Sequence, residues 1–190
     1  MRALVALLLF LLAGCSVHPF AFEPPPPPSI QPLPGTADQV WPSAPTSPPG
    51  PCPKPGVRIT VGGSDAAMGL RALTLEMTNC GAAPYEVNGR PVVLVLNAED
   101  QPEPVAVFQG TGGITTDPEV DAAPQPLTLA PGEKAHATLV WRLLVQDGRS
   151  VTGTSLRVAP LPGEPDQLVS PVHLDVGTTG KLGVGPWSKA

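Results

Sequence analysis

Three cysteines, three histidines and a short acidic run are the groups that could do chemistry in this 190-residue chain. Cys15, Cys52 and Cys80 could be acylated, paired or bound to a metal. His18, His136 and His173 are far apart, and no two have the short spacing of a zinc motif such as HExxH. A ligand set would need a fold that brings His136 and His173 together beside a carboxylate. Asp117, Glu119 and Asp121 alternate and could offer oxygens to Ca²⁺. They lack the later Glu of a full calcium loop, so a solvated loop is expected instead. No Ser lies in a GxSxG elbow, although a Ser-His-Asp triad is assembled by geometry and not by spacing. Gly110-Thr111-Gly112-Gly113 lacks the GK[ST] ending of a phosphate-cradling loop and is expected to be flexible. The expectation is a protein with no catalytic residues, no metal and no cofactor.

Cys15 stands apart from the other two. Met1-Arg2-Ala3 leads into the apolar run LVALLLFLLA, Leu4 to Ala13, followed by Gly14 and Cys15. A basic start, a short apolar stretch and small residues at its exit describe an export signal. A membrane-spanning helix needs about 20 apolar residues, more than this run has. Leu12-Ala13-Gly14-Cys15 resembles the bacterial lipobox. That resemblance implies cleavage before Cys15, with residues 1–14 as the signal peptide, and a diacylglycerol on the Cys15 thiol. Two acyl chains suffice for stable anchoring. The expected location is the extracytoplasmic face of a cell membrane, with membrane lipid as the first partner.

Next comes a spacer. Residues 15–56 hold more than half of the chain's 28 prolines, including the run Pro24 to Pro28. Proline fixes φ and lacks a donor, so neither a helix nor a central strand is expected there. The five-proline run should be polyproline II, and the remainder is too polar and too broken to pack a core. A docking role for this segment in an aromatic groove is a weaker alternative. Trp41 is isolated within it.

From Val57 the texture becomes that of strands. Val57 to Val61 and Leu70 to Asn79 alternate apolar and polar residues, with Gly62 to Asp65 as a break between them. Tyr85 to Val87 is a short strand, and Asn88-Gly89 is a hairpin-type turn. Val92 to Leu96, VVLVL, is the most continuously apolar segment and is expected to be central. Val105 to Phe108 follows Pro104 and should be an edge. Gly110 to Pro126 is expected to be a long loop. Ala135 to Val145 places Ala137, Leu139 and Trp141 on one face and His136 on the other, wetter one. Ser155 to Ala159, Pro171 to Val176 and Lys181 to Val184 are further strand candidates. Short strands separated by Gly and Pro turns, with no convincing helix, indicate an all-β, immunoglobulin-like β-sandwich of about seven to nine strands. It is expected over residues 57–176, with a Gly-rich segment 177–190 that could add a last strand.

With Cys15 acylated by the lipobox resemblance, Cys52 and Cys80 remain in an oxidising compartment where disulfides persist. Cys52 precedes the first strand and Cys80 follows the second. If those strands are antiparallel, the two ends are close, and a bond would staple the spacer to the domain.

Several pieces together resemble a known family. They are a Cys ahead of the first strand, then Thr78-Asn79 with Gly81, and Gly89-Arg90-Pro91 opening VVLVL. Leu129 to Ala135, LAPGEKA, and the strand carrying Trp141 follow. The stretch from Cys52 to Val176 resembles the actinobacterial domain of unknown function number 4232, found in secreted proteins and lipoproteins. The resemblance implies an immunoglobulin-like fold and carries no catalytic residues. In that family the second Cys usually lies nearer Pro84-Tyr85, and a further Cys pair is frequent; here Cys80 lies inside the turn and the later pair is missing.

Lys plus Arg number 11 against 16 Asp plus Glu, a net charge of -5. Phosphate binding needs a positive surface, so no nucleic-acid partner is expected. The functional expectation is a membrane-tethered, non-enzymatic binding or adhesion module of a bacterial envelope, with an envelope protein or a glycan as partner. Alternatives are an accessory subunit of an envelope complex and, less favoured, an envelope hydrolase. The 109–126 loop and the tail TTGKLGVGPW are the candidate contact surfaces. Trp141 is expected in the core, and Trp187 either in the core or as an exposed anchor.

Overall fold

A computed structural model describes residues 50–190. The export run, Cys15, His18, Trp41 and most of the proline-rich spacer lie outside the described residues. Thirteen strands and one helical turn follow one another: β1 (Val57–Ala67), β2 (Leu70–Asn79), β3 (Tyr85–Val87), β4 (Val92–Leu96), β5 (Ala106–Gln109), α1 (Pro118–Asp121), β6 (Leu127–Leu129), β7 (Lys134–Arg142), β8 (Val151–Gly153), β9 (Ser155–Ala159), β10 (Gln167–Val169), β11 (Leu174–Gly177), β12 (Lys181–Val184) and β13 (Ser188–Lys189). The all-β expectation holds. The strand count exceeds the expected seven to nine because, of the five strands of two or three residues, only β3 was expected; β6, β8, β10 and β13 are too short for periodicity to announce.

The main sheet runs β1-β2-β7-β12-β5, with β13 also paired to β7. A smaller sheet runs β10-β9-β4, and β3-β6 and β11-β8 form two short pairs. The sheets share one core in a sandwich-like arrangement. Leu73, Leu75 and Met77 of β2 and Ala137, Leu139 and Trp141 of β7 pack with Val93, Val95, Leu156 and Val158 from the smaller sheet. Alternation along β2 and β7 produces this directly, since every second side chain of a strand shares a face. Fully burying each aliphatic side chain contributes about 1.5–3 kcal/mol.

Gly62 to Asp65 does not break the first strand. β1 continues to Ala67, and the register against β2 shifts between Val61 and Gly63. The glycines accommodate a bulge, which absorbs one extra residue without ending the pairing. The turn that follows has positive φ at both Met68 and Gly69, 48° and 80°. Hairpin turns matching strand twist need this at both central residues.

The C-terminal segment is not an appendage. β12 lies inside the main sheet, antiparallel to β7 and parallel to β5. At Gly183 a Cβ would fall 2.6 Å from the Gly110 carbonyl oxygen, so only glycine allows this approach. The domain therefore extends beyond 176 to the end of the described chain. It also begins earlier than 57. Cys52 and Cys80 form the expected disulfide, and the backbone N–H groups of Cys80 and Gly81 both donate to the Gly56 carbonyl, at 3.1 and 2.9 Å.

The Gly110 to Pro126 stretch is more ordered than a flexible loop. Gly110 exchanges two backbone hydrogen bonds with Val184. Buried Thr111 donates its N–H and its hydroxyl to Asp121, at 2.8 and 3.1 Å. Asp117 caps the helical turn α1 by accepting from the N–H groups of Glu119 and Val120, with Pro118 in the first turn.

Candidate functional site

VVLVL is not the centre of a sheet. β4 is an edge of the three-stranded sheet, and among the described residues its only ladder partner is β9. Val93 and Val95 point into the core, while Val92 and Leu94 point outward and are 47% and 41% exposed. Leu94 is opposite Arg157 across the β4–β9 pair, and Leu168 is opposite Arg157 across the β10–β9 pair. Leu168 is 56% exposed. One row across three strands thus reads Leu94, Arg157, Leu168. The Arg157 guanidinium pairs with Asp166 at 2.9 Å in a solvent-exposed position, leaving the aliphatic stem of Arg157 between the two leucines. Single exposed apolar residues are unremarkable on a surface. Here Val92, Leu94 and Leu168 lie on one sheet face beside the unpaired edge of β4.

The outer edge of β4 borders a cleft of about 370 Å³. Its opposite wall is β5, the edge of the main sheet, as the sequence led us to expect for this segment. Val92 and Val93 line one side, and Val107, Phe108 and Gln109 the other. Arg90 is the single ionisable residue in the lining. Its guanidinium is committed to backbone carbonyls, those of Val184 at 3.1 Å, Ala122 at 2.7 Å and Val120 at 3.3 Å.

A second cleft holds two of the residues singled out from the sequence, His136 and Glu119. His136 is half-buried and not on a fully wet face, and its Nε2 lies 3.0 Å from the Ser188 hydroxyl. Glu119, Gln125 and Lys189 line the same cleft. Glu76 is directly opposite His136 on β2, but its carboxylate pairs with Lys134 at 2.8 Å. The Ser188 hydroxyl also lies 3.4 Å from the His136 carbonyl. This is two members of a triad without a carboxylate holding the imidazole among the described residues. His173 is exposed beside β11 and does not line the His136 cleft. Among the described residues, no group of three His, Cys, Asp or Glu side chains is placed to hold a metal ion. Asp117 and Asp121 serve the turn as described, and Glu119 is exposed.

Both tryptophans of the domain are core. The Trp187 indole donates to the Pro160 carbonyl at 2.8 Å. The Trp141 indole donates to Asp175 at 3.0 Å, and the same carboxylate pairs with Arg71 at 3.4 Å. Trp187 is therefore not an exposed anchor, and the tail around it is largely buried.

Two titrating groups are displaced from their ordinary values. Burial, and then the hydrogen bond to the Glu164 carboxylate at 2.6 Å, hold the Tyr85 hydroxyl protonated well above the usual phenol range. The Ala130 N–H, and then Lys189, hold Glu133 below the usual carboxylate range.

The family model described as Domain of unknown function (DUF4232) matches residues 52–188. The chain belongs to this family. The match starts at the disulfide and ends at β13, so it spans the folded domain together with its C-terminal strands. No curated protein matches the sequence. A solved structure of Se-Met labelled β-glucosidase from Kluyveromyces marxianus is similar over 62% of this chain and 14% of its own, at 9% identity. The TM-score is 0.28, and that likeness carries no argument about fold or activity.

The exposed apolar face of β4 was not legible in the sequence because an unbroken apolar run looks like a strand buried on both sides. Nor was the pairing of His136 with Ser188, which are 52 residues apart and share no motif.

Proposed function

We propose that the protein is a membrane-tethered, non-enzymatic binding module on the extracytoplasmic side of a bacterial envelope. An acylated Cys15 anchors it, the proline-rich segment acts as spacer, and an immunoglobulin-like sandwich carries the contact face. The observation that carries the binding reading is the row Leu94, Arg157, Leu168 beside the unpaired edge of β4. Apolar side chains at that density on an edge sheet favour association with another protein over solution alone. The lipobox resemblance supports the tether, and the disulfide fits an oxidising compartment.

The test has two arms in a bacterial host that acylates lipoproteins. Feeding an alkyne fatty acid should label the full chain, and Cys15→Ser should remove the label. A photo-crosslinking residue in place of Leu94 or Leu168 should yield one discrete protein adduct, whereas the same residue in place of exposed Ser64 should not. Absence of label refutes the tether. Equal adduct patterns from all three positions refute the contact face.

A further inference from the structure

The groove between β4 and β5 has an unusual origin. The two strands are arms of one hairpin that starts paired and then splits between sheets. At its closed end the Glu103 N–H donates to the Val95 carbonyl at 2.9 Å, and Leu96 bridges to Pro102. Beyond that point β4 stays with β9 while β5 leaves to pair with β12.

The split leaves backbone groups unpaired on both walls. Along a strand, alternate residues direct their N–H and C=O to opposite edges. Val95 directs its carbonyl away from β9, toward Glu103, so Val93 presents its own N–H and C=O the same way. On the other wall, the Ala106 N–H bonds to Gly180 and the Gly110 N–H to Val184, both on the β12 side. Val107 and Gln109 are out of phase with them and face the groove. Among the described residues, none of these three has a hydrogen-bond partner on the groove side.

Paired strands lie about 4.8 Å apart and packed sheets about 10 Å apart. A strand bonded to both walls at once needs them about twice the strand spacing apart. The electrostatics select its chemistry. The single charge in the lining, Arg90, is already used by three carbonyls. What remains to be matched is backbone dipoles on both walls and apolar side chains, Val92, Val107 and Phe108 among them.

We infer that the β4–β5 groove binds an extended, uncharged peptide segment of a partner protein by strand addition, with backbone pairing to Val93 on one wall and to Val107 and Gln109 on the other. This deepens the binding reading above and rests on it, since the groove shares Val92 with the contact face. Main-chain bonds supply affinity in such complexes, and pockets for alternate side chains supply selectivity.

The experiment uses the full chain in detergent micelles and a capped peptide of about seven residues alternating Val with Ser or Thr. Saturable binding is expected, with slowed amide exchange at Val93, Val107 and Gln109. Val107→Pro removes a groove-facing N–H that the β5–β12 ladder does not use, a position where proline is tolerated at an edge. It should weaken binding by about tenfold or more without changing the thermal midpoint. If that variant unfolds, Val92→Lys, which places a charge at the mouth of an otherwise apolar groove, should give the same loss. No binding, or binding indifferent to either folded variant, overturns the inference. So does self-association of the chain that Val107→Pro abolishes, because the occupant would then be a second copy. Partner adducts at Leu94 that survive Val107→Pro would leave the contact face standing and remove only the groove.

Discussion

The side-chain amide of Gln167 pairs with the backbone of Ile59 as though it were a strand. Its Oε1 accepts from the Ile59 N–H at 3.1 Å, and its Nε2 donates to the Val57 carbonyl at 2.9 Å. Gln167 is in β10, the edge of the smaller sheet, and Val57 and Ile59 are in β1, the edge of the main one. Here one side chain bridges the edges of the two sheets, and a cleft still opens beside it between β1 and β10.

Replacing Gln167 with Leu should remove both bonds and leave a half-buried donor and acceptor unsatisfied. A loss of about 2 kcal/mol is expected, read from urea unfolding midpoints at constant slope. Gln167→Glu keeps the acceptor and should lose less. A midpoint unchanged in Gln167→Leu would show that the bridge contributes nothing to stability.

Tyr85 is the single tyrosine of the chain, so its ionisation can be followed directly by ultraviolet difference absorbance. Its folded pKa is raised above the unfolded value of about 10. Stability from this group is therefore fully present below about pH 10 and is lost as pH rises toward the folded value. The thermal midpoint should begin to fall above pH 10, and Tyr85→Phe should flatten that part of the profile. An ordinary phenol titration in the native protein would contradict the Glu164 contact.

The disulfide closes a loop with a sequence separation of 28. The chain-entropy relation gives about 3–4 kcal/mol for a loop of that length. The double variant Cys52→Ser, Cys80→Ser should lose about that much in guanidinium unfolding. Because the Gly56 carbonyl still accepts from Cys80 and Gly81, the folded variant should keep its far-ultraviolet spectrum. A loss well under 1 kcal/mol would mean that these backbone bonds already constrain the segment.

Ser188 is within hydrogen-bond distance of an imidazole, the minimum a serine nucleophile requires. Without a carboxylate on His136 the hydroxyl should remain unreactive. A fluorophosphonate probe should not label the native chain, and Ser188→Ala should leave partner adducts unchanged. Labelling that Ser188→Ala abolishes would restore the hydrolase alternative.

The large features of the fold were legible because they rest on long alternation. β2 and β7 carry enough periodic positions to fix their inward faces, and the core placement of Trp141 followed from them. The disulfide was legible from the expected compartment and the chain position. Other features were obscured by local composition. Gly62-Gly63 reads as a break, although glycine also permits the bulge that continues β1. The turn α1 carried a helix-start signature in Asp117-Pro118, hidden among acidic residues that suggested a metal. VVLVL has no polar alternation, so its two faces were indistinguishable until β4 was seen as an edge. The row through Arg157 depends on register between three strands, which no single segment encodes.

The position of β12 has a consequence for how the domain is made. A strand from residues 181–184 lies between β7 and β5, and Trp187 just after it fills the core. Until those residues are available, β5 has no neighbour and the core is missing a large side chain. A chain threaded across a membrane from its N-terminus cannot close this domain early, however much of β1 and β2 has emerged. On the proposed export route the segment would stay unfolded through most of its passage, with completion timed by the arrival of the final strands on the far side.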